Sequence, residues 1–382
     1  MRIAVFSEVY WPMISGVGVT LDRLVRGLTE RGHAVRVYTA SYPLPPGATD
    51  PPEVHRSPSI PLFLYPDVQW AFPRQREIVA DLRRFRPNLI HVATEFALGL
   101  AGIKAAGQLG VPVIASAHTD YQKYAARYGV AWVLQMGWIY LRWFYGHADR
   151  VLAPSRIYGR FLNTQGILHT GLWTRGVDPA EFHPRFRSEA WRSRFGVGPE
   201  DLLVTYVGRL AREKDLGRLL AAWRDLGSRR GRAQLVLVGR GPLEDELRRR
   251  AVPGVHLAGL VTGLTLSQAY ASADLFVFPS ATETFGNSLL EAMASGLPSL
   301  AVHAGGVPEF AEHGRNAWLV RPHDTAMLGA GLVRLLEDPG LRGRLAAGAQ
   351  ATARARRWDA IHEALLDDYR LAVAGRARHQ AA

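Results

Sequence analysis

Residues 2–39 read RIAVFSEVYWPMISGVGVTLDRLVRGLTERGHAVRVYT. Arg2–Ser7 is a short run of Ile, Val and Phe, as a strand buried on both faces requires. Pro12, Gly16 and Gly18 then break the chain. Leu21, Leu24, Val25 and Leu28 recur at helical spacing, Gly32 stops the helix, and Ala34–Thr39 is apolar and β-branched again. A strand, a loop, a crossover helix and a second strand predict a parallel sheet covered on both sides.

The rhythm continues outward from this unit. Further strands are predicted at Leu89–Ala93, Val111–Ser116 and Arg150–Ala153, with helices near 74–85, 97–109 and 126–147. Gly176–Pro199 interrupts it with Pro179, Pro184, Gly196, Gly198 and Pro199 among charged residues, and reads as an inter-domain passage. A second series follows. Strands are expected at Leu202–Val207, Gln234–Val238, Val255–Leu257, Leu275–Phe278, Ser299–Val302 and Ala317–Leu319. Helices are expected near 215–228, 242–250, 265–272, 287–295, 324–337 and 341–354. The tail, 357–375, carries Ile361, Leu365 and Tyr369 on one helical face. The prediction is two α/β domains, 1–178 and 179–356, with a C-terminal helix over 357–382. Ligands of such sheets bind beyond the C-terminal strand ends, so a two-domain version places its site in the cleft.

Composition narrows the function. The 382 residues are 48% hydrophobic and 21% charged, which is globular rather than disordered. The absence of cysteine excludes disulfides, thiolate catalysis and thiolate metal sites. Lys+Arg exceed Asp+Glu by 46 to 34, a net charge of +12. The excess is spread over both halves without a basic tail, which disfavours dedicated nucleic-acid binding. No stretch of eighteen apolar residues exists, and the apolar N-terminal run is too short for a signal peptide, so cytoplasmic residence is the default expectation.

Five segments could carry chemistry or binding. In the first loop, EVYWPMISGVG (8–18), glycines let backbone N–H groups approach a phosphate at a helix start. It is neither a dinucleotide fingerprint nor a Walker loop. In GRLAREKDL (208–216), Arg209 and Lys214 stand five apart at a strand end, where two cations and a helix dipole can hold a diphosphate. The alternative there is a solvated pairing of Lys214 with Glu213 and Asp215. In PSATETFGNSLLEAMASG (279–296), Glu283 falls in a loop and Glu291 inside the next helix, both able to accept hydrogen bonds from sugar hydroxyls. In AHTDYQKYAARYG (117–129), His118 and Asp120 sit at a strand's C-terminal end. No H-x-x-x-H, H-E-x-x-H or D-x-D pattern stands near them, which disfavours a metal. The aromatic stretch Tyr121–His147 mixes Tyr and Trp with Lys123, Arg127 and Arg142, which suits helix packing or a membrane interface.

Together these segments resemble the retaining GT-B glycosyltransferases of family 4, over about Arg2 to Glu363. The most specific match is FPSATETFGNSLLEAMASGLPSLAVHAGGVPEF (278–310), similar to that family's pair of glutamates with seven residues between them and its following glycine loop. GRLAREKDL resembles its donor-phosphate motif. PMISGVG resembles its first glycine loop, with Gly16-Val17-Gly18 replacing the usual adjacent pair. The resemblance implies two Rossmann-like domains about a central cleft, with the C-terminal helix crossing back to the first.

It also implies roles. His118 would contact the donor sugar, and Arg209 and Lys214 the diphosphate. Glu283 would bind the transferred sugar, and Glu291 the ribose hydroxyls. Gly16, Phe285, Gly286, Asn287, Gly305 and Gly306 would form the rest of the donor site. Asp120, Tyr121 and Arg175 would serve the acceptor or stand behind it. No cofactor beyond the nucleotide-sugar is implied, and two cations can replace a divalent metal. HTDYQKYAARYG and WTRGVDPAEFHP (173–184) look most like bacterial transferases using GDP-mannose; a UDP-sugar-dependent glycolipid synthase is the alternative. A non-enzymatic two-lobed ligand-binding protein is the rival of another class. A lipid acceptor and an anionic membrane are the implied partners, with Trp132 and Trp138 inserting.

Overall fold

The computed structural model describes residues 1–62, 65–118 and 134–381. The chain forms two compact units, one of 1–118, 134–175 and 358–381, the other Gly176–Arg357.

In the first unit, β1 (Arg2–Ser7) leads through α1 (Gly16–Glu30) to β2 (Ala34–Ala40), as the opening segment predicts. β3 (Val54–Ser57), β4 (Ser59–Leu62) and β5 (Tyr65–Ala71) follow, then α2 (Gln75–Phe85), β6 (Leu89–Val92), α3 (Ala97–Leu109) and β7 (Val113–Ser116). After α4 (Leu134–Tyr145) come β8 (Arg150–Ala153), α5 (Arg156–Thr164) and β9 (Thr170–Leu172). The seven-stranded sheet is ordered β3-β2-β1-β6-β7-β8-β9 and its pairs are parallel, while β4 and β5 form an antiparallel hairpin. The expected helix over 126–147 is described from Leu134.

In the second unit, α6 (Glu189–Ser193), β10 (Leu203–Val207), α7 (Leu216–Asp225), β11 (Gln234–Val238), α8 (Glu244–Arg250) and β12 (Val255–Gly259) come first. α9 (Gly263–Ala271), β13 (Leu275–Phe278), α10 (Asn287–Ala294), β14 (Ser299–Val302), β15 (Trp318–Val320), α11 (Thr325–Glu337) and α12 (Pro339–Arg354) complete it. The sheet order is β12-β11-β10-β13-β14-β15, parallel throughout. Alternation sorts its side chains. Phe276 and Phe278 of β13 pack with Leu289, Leu290 and Met293 of α10, whereas Leu275 and Val277 face Leu219, Trp223 and Leu332 of α7 and α11.

Gly176–Pro199 is not a free passage, contrary to its composition. Trp191 and Phe195 are core residues of the second unit. Arg192 is fully buried and donates to Asp274 Oδ2 (2.7 Å) and to the carbonyls of Gly198, Asp201 and Ser272. One paired, hydrogen-bonded guanidinium thus seals a segment whose prolines and charges look like a linker.

The last helix, α13 (Trp358–Ala381), returns to the first unit. Leu365, Leu366 and Tyr369 join Ile3, Leu24 and Trp173 in one core. Gly27 of α1 faces His362, where a Cβ would stand 2.1 Å from the imidazole, so glycine sets how closely these helices approach.

Candidate active site

Three loops leave the C-terminal ends of adjacent strands β10, β13 and β14, and they are tied to one another. Thr282 Oγ1 donates to the Glu213 carbonyl (3.1 Å), and the Gly306 N–H to the Glu283 carbonyl (2.9 Å). Gly305 has φ +59°, and a Cβ there would lie 2.0 Å from the Glu283 oxygen. The glycines of the third loop therefore answer first to the backbone of the second, which they press into place.

The cations stand on this platform. Lys214 Nζ meets Glu283 Oε1 at 2.5 Å, both side chains being largely buried. The solvated alternative for Lys214 is thereby overturned. Glu213 is 1% exposed, and Asp215 pairs instead with His323 Nδ1 at 3.1 Å. Burial lowers the pKa of Arg209, with Glu213 opposing the shift. Gly286, at φ +113°, turns the chain into α10, whose amide N–H groups open beside Glu283 in sequence. Phe285 stacks on Phe310 at 4.9 Å, and Asn287 is the first helical residue. Glu291 is no surface glutamate: Tyr270, fully buried, donates to its Oε2 at 2.7 Å. A region with a basic pair, two anchored carboxylates and a helix start can grip an anionic head and hydroxyl groups beside it.

In the first unit, Ser15 caps α1 by accepting from the Gly18 N–H (3.0 Å), and Gly16 is exposed at the first turn. Glu8, buried at the end of β1, accepts from the Leu98 N–H at the start of α3 (2.5 Å) and pairs with Thr94. Burial drives its pKa upward. His118 ends in a buried line. Its Nε2 is 2.8 Å from Ser116 Oγ, and its Nδ1 2.8 Å from Arg175 Nη2. Ser116 Oγ in turn lies 2.9 Å from His91 Nε2, whose Nδ1 is 2.6 Å from the Tyr369 hydroxyl. Burial first, then Arg175, then His91 depress the pKa of His118 well below its ordinary value. Burial pushes His91 down to about 3. Asp120 and Tyr121 lie outside the described residues, as does Trp132.

Comparison with known proteins now decides the class. A family model described as Glycosyl transferases group 1 matches residues 201–338, and one described as Glycosyltransferase Family 4 matches residues 14–181. The chain is 34% identical over 400 residues to a GDP-mannose-dependent alpha-mannosyltransferase of Mycobacterium tuberculosis, covering 100% of this chain and 99% of that protein. The chain belongs to glycosyltransferase family 4. It is also 35% identical over 350 residues to the sulfoquinovosyl transferase SQD2 of Arabidopsis thaliana, covering 88% of this chain and 67% of that protein. Its fold matches the sucrose-phosphate synthase of Thermosynechococcus elongatus at a TM-score of 0.81, with 22% identity over 98% of this chain and 99% of that one. The two parallel sheets are thus those of a GT-B glycosyltransferase, and the enzyme is a hexosyltransferase.

Several residues of this glycosyltransferase's candidate site escape sequence reading. The loop after β11 meets the one after β10: the Leu210 N–H donates to the Arg240 carbonyl (2.8 Å), and the Leu243 N–H to that of Leu210 (2.9 Å). Its signal, VGRGP directly after a strand, was available. Tyr270, His91, Ser116 and Tyr369 had none, because each meets its partner only through the fold. Trp138 is a correction. It is 8% exposed and packs edge-to-face on Phe161 (5.6 Å), so it cannot insert into a membrane. Among the described side chains of α4, Met136, Ile139 and Trp143 are the exposed large apolar ones. Among the described residues no helix is long and apolar enough to cross a membrane, and no group of three His, Asp or Glu converges as a metal site.

Proposed function

We propose that this enzyme moves a mannosyl group from GDP-mannose to an acceptor hydroxyl with retention at the anomeric carbon. The observation that carries the reading is the convergence of Arg209, the Lys214–Glu283 pair and Glu291 on the loops and helix following β10 and β13. The end-to-end alignment with a GDP-mannose-dependent relative supports the choice of donor.

The chemistry follows from charge. As the C1–oxygen bond to the diphosphate breaks, negative charge grows on the β-phosphate and positive charge on the sugar ring. Arg209, Lys214 and the start of α10 oppose the first. Glu283 accepts from a hydroxyl of the transferred sugar and restrains Lys214 until the diphosphate claims it. Glu291, oriented by Tyr270, takes the ribose hydroxyls. Phe285, Gly286 and Asn287 shape the turn, and the backbones at Gly16, Gly305 and Gly306 line the donor. The acceptor oxygen attacks from the face the phosphate leaves, and its proton passes to the departing phosphate. His118 contacts the transferred sugar, and Asp120, Tyr121 and Arg175 serve the acceptor or stand behind it. Cations and a helix dipole supply the counter-charge, so activity survives EDTA.

The test is turnover with GDP-mannose followed by NMR of the product: an α-linked mannoside supports the reading, a β-linked one refutes retention, and no transfer refutes the donor.

A UDP-sugar-dependent glycolipid synthase is the second reading. The exposed Met136, Ile139 and Trp143 of α4, beside Arg142, favour a lipid acceptor at an anionic surface. Activity with UDP-sugars alone would establish it over the first.

A further inference from the structure

One buried cation of the first unit has no counter-ion among the described residues. Arg175 is 5% exposed. Its Nη1 donates to the carbonyls of Trp173 (2.6 Å) and Thr174 (3.2 Å), its Nη2 to His118 Nδ1 (2.8 Å), and its guanidinium lies 4.8 Å over the Trp173 ring. All these partners are neutral, and among the described residues no carboxylate stands within ion-pair distance of it. The contrast is Arg192, equally buried, which has Asp274 at 2.7 Å. Keeping a charge in a dry site without an opposite charge is costly, and such groups concentrate at functional sites. Burial draws the guanidinium down to about 9 with nothing opposing the shift.

The donors are arranged as well as charged. A guanidinium has five N–H groups and no acceptor. Three hydrogen bonds to the described residues leave at least two donors over, Nε–H among them. Because Arg175 can only donate, His118 Nδ1 must accept. The ring is then neutral, with its single proton on Nε2 and given to Ser116 Oγ. His91 and Tyr369 hold Ser116 from behind. The imidazole is thus pinned at both nitrogens, and it fixes the plane of the guanidinium at the C-terminal end of β7.

We propose that Arg175 binds a phosphate-type oxyanion carried by a substrate, and that His118, Ser116, His91 and Tyr369 are positioning residues that hold its donors in place. The proposal rests on the glycosyl-transfer reading, which offers two sources of that oxyanion: the donor's diphosphate and a phosphate on the acceptor. The chemistry is shared; planar, charge-assisted donation to paired oxygens is what an arginine does and a lysine does not.

The experiment titrates full-length wild type, Arg175→Gln and Arg175→Lys with GDP, GDP-mannose and glycerol 3-phosphate, and records Tm for each. A donor source predicts that Arg175→Gln loses about ten- to a hundredfold in GDP affinity, the worth of one or two charged hydrogen bonds, with Arg175→Lys between. An acceptor source predicts unchanged GDP affinity and a glycerol 3-phosphate response present in wild type and lost in Arg175→Gln. Either way the Tm of Arg175→Gln equals or exceeds that of wild type, because a neutral amide replaces an uncompensated charge. Wild-type affinity of Arg175→Gln for every ligand overturns the proposal, as does a lowered Tm with binding intact. Should Arg175→Gln not fold, Arg175→Lys carries the same arms. Failure of wild type to bind GDP-mannose or GDP would instead sink the GDP-mannose reading beneath it.

Discussion

Lys214 and Glu283 stand 69 residues apart in sequence and 2.5 Å apart in space. If they and Arg209 carry the leaving group, Arg209→Ala and Lys214→Ala each lower kcat/KM by about 10²–10³, the cost of removing one oxyanion donor. Steady-state kinetics with the preferred donor checks this, and near-wild-type values for both would contradict it. A separate prediction concerns pH. His91 is neutral in the fold, held down to about 3 by burial, while an unfolded histidine titrates near 6.5. The unfolded state therefore binds more protons below that value. The stability this group contributes is complete above about pH 6.5 and is lost as pH falls toward 3. Between pH 7 and pH 5 the loss is about 2 kcal/mol. Urea unfolding at the two pH values should show that difference shrinking by a similar amount in His91→Gln; an unchanged difference would refute it. At this scale the sequence showed which residue types could grip a diphosphate, since Arg209 and Lys214 sit in one nine-residue motif. It could not show that Lys214 pairs with Glu283 rather than its neighbours, nor that Tyr270 orients Glu291, because those partners meet only through tertiary contacts.

At the scale of elements, the site depends on one loop pressing another. A side chain at Gly305 would need φ +59° and would collide with the Glu283 carbonyl. Gly305→Ala is predicted to cost roughly 2–4 kcal/mol of stability, from left-handed backbone strain and overpacking together. It should also weaken donor binding by displacing Glu283; thermal unfolding and donor titration read the two effects, and wild-type values for both would refute the account. Elements themselves were legible where the period was clean. β1, α1, β8, β11, β13 and β14 follow their apolar patterns closely. β3, the β4–β5 hairpin and β9 did not announce themselves, because Pro51, Pro52, Pro58 and Pro61 crowd the first three and β9 is only three residues long. α6 was hidden inside a segment that composition alone assigns to a linker, although Arg192 and Trp191 bury it.

For the molecule as a whole, the +12 charge and the exposed face of α4 predict binding to anionic vesicles. Replacing Met136, Ile139 and Trp143 by serine should abolish sedimentation with such vesicles while leaving GDP affinity intact; sedimentation indifferent to lipid charge and to these three changes would remove the membrane from the account. The order of motifs along the chain was enough for the family. Donor and acceptor were less legible, since they rest on the shape of loops rather than on any one residue type. The donor site of the second unit is read by calorimetric titration of wild type and Glu291→Gln with GDP-mannose, UDP-glucose and UDP-galactose in the presence of EDTA. Wild type should bind GDP-mannose alone, in the micromolar range, and Glu291→Gln should bind it at least tenfold more weakly. Binding of a UDP-sugar alone would overturn the donor, and full affinity of the variant for GDP-mannose would overturn the role of Glu291.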